Sequence, residues 1–265
     1  MKYYIVDAFA DELFKGNPAG VCLLDYELSD ATMQKIAFEN NLAETAFLLH
    51  KNNQYNLRWF TPDVEIDLCG HATLATAFVV MNYVLPELKE IEFDTMSGKL
   101  TVVREGDIYT LDFPNRMPEP TQQPELLEKA LGCKILETHL SRDMVVLVEQ
   151  EEDVVNLQLD MEAIKKISRD VAFAIIVTAR GKSCDFVSRF FAPNAGIVED
   201  PVTGSSHSTL IPFWSERIGK TKMVAKQLSQ RGGTLYCEYC KDRVKIGGRA
   251  VCYLQGELLL EDVAK

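Results

Sequence analysis

The sequence predicts an α+β protein built from two similar halves, and three observations carry that expectation. The first is an internal echo. Arg58-Trp59-Phe60-Thr61-Pro62 leads into Asp67-Leu68-Cys69-Gly70-His71-Ala72-Thr73, and Arg189-Phe190-Phe191-Ala192-Pro193 leads into Glu199-Asp200-Pro201-Val202-Thr203-Gly204-Ser205-Ser206-His207. The copies lie 131 positions apart in a chain of 265, close to half its length, which reads as a duplicated unit rather than a short-period array. The second is that short runs of alternating polarity follow one another without regular βαβ alternation, as α+β proteins do. The third is a linker: Pro114, Pro118, Pro120 and Pro124 with polar residues between them place the expected half-domains at 1–114 and 115–265, the last strand being free to return to the first half.

In chain order, Lys2 to Phe9 is rich in Tyr, Ile, Val and Phe and reads as a buried strand, and after the turn Gly16-Asn17-Pro18-Ala19-Gly20 a second strand runs from Val21 to Leu24. Ser29 caps a helix reaching about Asn40, with Met33, Ile36 and Ala37 inward. Glu44 stands where that helix gives way to the strand Thr45 to Leu49. Tyr55 to Thr61 delivers the first loop, and the helix after Gly70 is apolar from Leu74 to Val80, as a helix wrapped on all sides requires. Three strands follow, Ile91 to Thr95, Lys99 to Arg104 and Ile108 to Phe113. The second half repeats the plan, with a helix near 124–131, strands near 135–140 and 144–149, an acidic loop Glu151-Glu152-Asp153, a helix near 161–167 and strands at 172–179 and 186–191. Pro212 falls within the helix after Gly204, where its missing N–H costs roughly 3 kcal/mol and predicts a kink. Four strand-like runs close the chain; one of them contains Cys237 and Cys240, whose spacing invites a zinc reading but whose context alternates like a strand.

Composition narrows the function. Lysine and arginine number 28 against 39 acidic residues, and the net charge of -11 repels nucleic acid and anionic membrane surfaces. No apolar run reaches the ~20 residues of a membrane span. The start reads as a strand and not a signal peptide, so a cytoplasmic location and reduced thiols are expected. A small anionic substrate fits wherever local N–H groups outweigh the overall field. Gly70 and Gly204 offer such places, because a glycine at a helix start lets the backbone close on a ligand and the first-turn N–H groups carry about half a positive charge. His71 follows Gly70 directly; His207 lies a turn deeper and also reads as a core residue. Asp200 is held extended before Pro201 and either caps a turn or reaches the site, and Ser205 either donates to a substrate or caps the helix. Cys69 raises a racemase reading, which needs two opposed acid/base groups, often thiols, but Thr203 occupies the matching place in the second loop, so a two-thiol mechanism lacks one partner.

Gly16-Asn17-Pro18-Ala19-Gly20-Val21, Asn41-Leu42-Ala43-Glu44-Thr45-Ala46-Phe47, the two echoed stretches and Gln230-Arg231-Gly232-Gly233 together resemble the PhzF family of phenazine-biosynthesis-like isomerases across essentially the whole chain. The resemblance implies a diaminopimelate-epimerase-like fold: two half-domains, each a curled, barrel-like mixed β-sheet around a central helix, with the site in the crevice between them. It implies a homodimer that uses no metal or organic cofactor. It assigns the acid/base role to Glu44, with His71 and Asp200 as its catalytic companions, and puts Gly70, Thr73, Gly204 and Ser205 around the substrate carboxylate. The expected activity is relocation of a proton on a small carboxylated, cyclic metabolite. The alternatives are an amino-acid epimerase or racemase, and a former enzyme kept as a metabolite-binding or interaction protein.

Overall fold

A computed structural model describes residues 1–260. The chain divides into two units, Met1–Asp112 with the segment from Gly247, and Phe113–Ile246. The linker prolines put 115–265 in the second half and left only the last strand free to return; in the structure everything from Gly247 goes with the first unit, and residues 261–265 lie outside the described residues. Pairing explains this, because Ala250–Glu257 runs antiparallel to the first strand, Lys2–Ala8.

The first unit contains β1 (Lys2–Ala8), β2 (Asn17–Leu24), α1 (Asp30–Asn40), β3 (Glu44–Lys51), β4 (Gln54–Phe60), β5 (Glu65–Ile66), α2 (Gly70–Val79), β6 (Glu90–Thr95), β7 (Gly98–Glu105) and β8 (Ile108–Pro114), the last crossing into the second unit. Ser29 caps α1 by accepting from the Thr32 N–H, and Met33, Ile36 and Ala37 pack on Phe47 and Phe60. Across β1-β2-β3-β4-β6-β7 the pairings alternate antiparallel, parallel, antiparallel, parallel, antiparallel. Helix α2 packs on β1, β2, β3, β7 and the returning C-terminal strand. Seven strands at about 4.8 Å spacing span close to three helix diameters, so a flat sheet could not reach one helix from both ends; the sheet curls around α2. It is a mixed sheet that stays open, in keeping with the expected curled, α+β half-domain.

The second unit contains β9 (Glu119–Pro120), α3 (Leu127–Leu131), β10 (Glu137–Leu140), β11 (Met144–Leu147), α4 (Glu151–Val155), α5 (Met161–Val171), β12 (Ile175–Arg180), β13 (Phe186–Ala192), β14 (Ile197–Asp200), α6 (Gly204–Ile218), β15 (Lys222–Gln227), β16 (Gly233–Cys240) and most of β17 (Arg243–Gly248), whose last two residues count with the first unit; β18 is Ala250–Glu257. Its strands β10-β11-β12-β13-β15-β16 follow the same alternation of directions as the first unit. Each unit also uses one arginine device. Arg58 makes a two-point bond to Glu65 at 2.6 and 2.7 Å and lies over Phe60, while Arg189 bonds Glu199 at 2.7 and 3.0 Å and lies over Phe191.

One sequence expectation needs correction here, and the structure adds a bond at Pro212. Residues 151–153 are not a loop but the first turn of α4, where three carboxylates meet the positive helix end and Gln150 and Asp153 form a reciprocal capping box. Helix α6 runs unbroken through Pro212. The proline leaves the Ser208 carbonyl without its helical donor, and the Arg116 N–H supplies one at 3.0 Å.

Candidate active site

Parallel pairing of β2 and β3, with Ala19 opposite Glu44, brings the starts of both strands to one end of the sheet. Asn17 opens β2, Glu44 opens β3, and α2 begins nearby at Gly70. His71 therefore sits between them: its Nε2 is 3.0 Å from Glu44 Oε2, its Nδ1 3.3 Å from Asn17 Nδ2 and 3.6 Å from Cys69 Sγ. Glu44 is 8% exposed and His71 6%. An exposed glutamate is the commonest kind, so the burial of Glu44 is a finding of the structure. The His71–Glu44 contact lies outside hydrogen-bond angles, so it is an ion-pair contact that leaves both facing atoms without a directional bond.

Burial by itself opposes charge on His71, but its contacts with Cys69 and with Glu44 outweigh it and raise the imidazole well above its usual value. The Cys69 thiol is also raised, by burial first and by the Glu44 charge second, so it is uncharged when His71 is charged. Glu44 is then the partner that holds the imidazolium. Glu44, Cys69 and His71 place ligand-type atoms within 4.8 Å of one another. Yet His71 turns Nδ1 to the thiol and Nε2 to the carboxylate, on opposite edges of the ring, and a metal ion takes one ring nitrogen. The trio is arranged as a line of proton partners rather than a cage. Thr73 is turned inward, with its hydroxyl donating to the Cys69 carbonyl at 2.5 Å, so it secures the helix start.

In the second unit Asp200 ends β14 and Thr203 is the N-cap of α6. The N-cap side chains of both α2 and α6 make no capping hydrogen bond, and both residues are extended. First-turn N–H groups without a side-chain cap suit an anion. The Thr203 hydroxyl instead donates back to Asp200 Oδ2. Ser205 is half-buried and receives a bond from Arg142 Nη2 at 3.3 Å; Arg142 is clamped at two points on the fully buried Asp143 and stacks over Phe173. His207 is wholly buried, with Nδ1 2.8 Å from the Thr203 carbonyl, so that nitrogen carries the proton; burial lowers its pKa to about 4. It is a neutral core residue.

The structure thus gathers Glu44, His71 and Gly70 in the first unit, and Asp200, Gly204 and Ser205 in the second. Sequence reading missed two residues, Arg142 and Gln227. Gln227 is fully buried in a strand whose inward positions are otherwise Met223 and Ala225, and a polar side chain at an inward place of an alternating strand was the available signal.

Comparison with known proteins fits this geometry. The phenazine biosynthesis-like protein family, PhzC-PhzF, matches residues 6–256. An uncharacterized isomerase of Pseudomonas aeruginosa is 48% identical, covering 96% of this chain and 97% of that protein. A crystal structure of a PhzF family phenazine biosynthesis protein from Enterococcus faecalis is 50% identical, with a TM-score of 0.95, covering 98% of this chain and 99% of that one. The fold alone extends to a probable proline racemase from Agrobacterium radiobacter, at 10% identity and a TM-score of 0.67, covering 99% of this chain and 94% of that one. Two uncapped helix starts, a buried acid/base pair and this kinship agree: the chain is an isomerase belonging to the phenazine biosynthesis-like PhzF family.

Proposed function

We propose that the protein is a cofactor-independent isomerase that relocates a proton on a small carboxylated, cyclic metabolite, with Glu44 as its acid/base and His71, Asp200 and Ser205 as substrate-facing groups. Glu44 takes a proton from a substrate C–H; the electron pair of that bond moves into the substrate's conjugated system; the same carboxyl then returns the proton at another carbon. Nothing is oxidised or reduced. His71 and Asp200 polarise substituents as charge develops, and the uncapped helix starts at Gly70 and Gly204 are each suited to an anion. We read the shared strand order of the two units as internal duplication, and the protein as a homodimer.

The single observation that carries this reading is the buried Glu44–His71 pair at 3.0 Å beside an uncapped helix start. Both side chains are buried, so a carboxyl and an imidazole meet where proton transfer to or from a positioned group can be used. The test is metabolite conversion by wild type against Glu44→Gln. A positioned acid/base contributes typically 10²- to 10⁴-fold, so the variant should lose about that much turnover while still binding substrate. Near wild-type turnover by Glu44→Gln would end the mechanism, and depletion of a metabolite without product by wild type would favour a binding protein. An epimerase reading draws on the Cys69 thiol near His71, but the hydroxyl at Thr203 is committed to Asp200.

A further inference from the structure

The loop leading to Gly204 is held by an amide whose orientation the backbone dictates from both sides. Gln227, the last residue of β15, is fully buried. Its Oε1 accepts from the Thr203 N–H at 2.9 Å, and its Nε2 donates to the Asp200 carbonyl at 2.7 Å. Turning the amide over would set donor against donor and acceptor against acceptor, so its orientation follows from the chemistry. The remaining Nε2 proton points to Thr203 Oγ1 at 3.2 Å. Having received there, the Thr203 hydroxyl directs its own proton to Asp200 Oδ2. Hydrogen-bond polarity therefore runs one way, from Gln227 through Thr203 to Asp200.

We propose that Gln227 and Thr203 are positioning residues for the isomerase reaction: Gln227, acting through Thr203, fixes the rotamer of the Asp200 carboxyl group and keeps it a hydrogen-bond acceptor. The inference rests on the reading of Asp200 as a substrate-facing group. It accounts for a threonine at the cap of α6, because a hydroxyl can accept and donate at once, which the chain of bonds requires. It also removes position 203 as a proton source for carbon, since its one proton is spent on Asp200. A carboxylate that must meet a substrate tolerates little angular error, and charge-assisted bonds of this kind are the ones that set geometry. If the network served only loop stability, its variants would unfold more easily without changing the kinetic pattern.

The experiment compares wild type, Thr203→Val, Thr203→Ser and Gln227→Leu, each labelled with ¹³C-aspartate, with the Asp200 carboxyl signal assigned through Asp200→Asn. At one fixed pH near neutrality, Thr203→Val and Gln227→Leu should displace that signal and Thr203→Ser should leave it in place. On the metabolite that wild type converts, Thr203→Val should lower kcat about 10-fold or more with KM within about 2-fold, and Thr203→Ser should retain activity. Valine is nearly isosteric with threonine, so Thr203→Val carries the test if Gln227→Leu does not fold. An unmoved Asp200 signal in Thr203→Val, equal losses in the Val and Ser variants, or a change confined to KM overturns the proposal. The spectroscopic comparison needs no substrate, so its failure is distinct from a failure of Glu44 as the base.

Discussion

Replacing His207 with glutamine should flatten the acid limb of the protein's stability. In the folded state burial lowers this imidazole from 6.5 to about 4, while its Nδ1–H remains bonded to the Thr203 carbonyl. A group whose folded pKa is depressed binds fewer protons folded than unfolded, so the stability it supports is present above pH 6.5 and is lost as pH falls toward 4. With roughly 1.4 kcal/mol per pKa unit, the linkage amounts to about 1 kcal/mol at pH 5.5 and about 3 kcal/mol at pH 4. Glutamine can still donate to the Thr203 carbonyl but does not titrate. Urea unfolding of both proteins at pH 7.5, 5.5 and 4 isolates the effect, since every carboxylate titrates equally in the two. The stability difference, wild type minus variant, should fall by about 3 kcal/mol from pH 7.5 to pH 4. A difference that stays constant across that range would refute the reasoning, because it would mean that His207 charges in the folded protein as readily as in the unfolded chain.

His71 should show the opposite sign. Its folded pKa is raised, so its contribution is fully present below 6.5 and is lost as pH climbs through the higher folded value; the stability gap between wild type and His71→Gln in urea should be widest near pH 6 and narrow on the alkaline side. Cys69→Ala should keep most of the turnover, because the raised thiol is protonated at neutral pH; a loss as complete as that of Glu44→Gln in the same assay would favour the epimerase reading. Arg142→Ala should cost about 3 kcal/mol in denaturant unfolding by leaving buried Asp143 without its partner, and Arg142→Leu with Asp143→Leu should recover much of it.

The sequence by itself determined those features whose causes lie within a few residues of one another. Ser29 before an apolar-periodic run determined where α1 starts, glycines at 70 and 204 marked the first residues of α2 and α6, and an uninterrupted apolar stretch after Gly70 demanded a helix enclosed by strands. The alternation around Cys237 and Cys240 likewise sufficed to make that segment a strand. Tertiary structure decided the rest, because burial and hydrogen-bond polarity are set by partners far along the chain. Nothing near Pro212 reveals that the Arg116 N–H satisfies the carbonyl it strands, so the expected kink could not be weighed against that bond. Glu44 became a buried partner of His71 only because β2 and β3 pair in parallel and bring residues 17, 44 and 71 to one sheet end. His71 and His207 each follow a helix-opening glycine, yet one is pushed up and the other down, because a carboxylate faces the first while the second meets a carbonyl in a setting that penalises charge. Residue type tells which groups can ionise; the field and dryness at each, which only folding creates, decide which of them do.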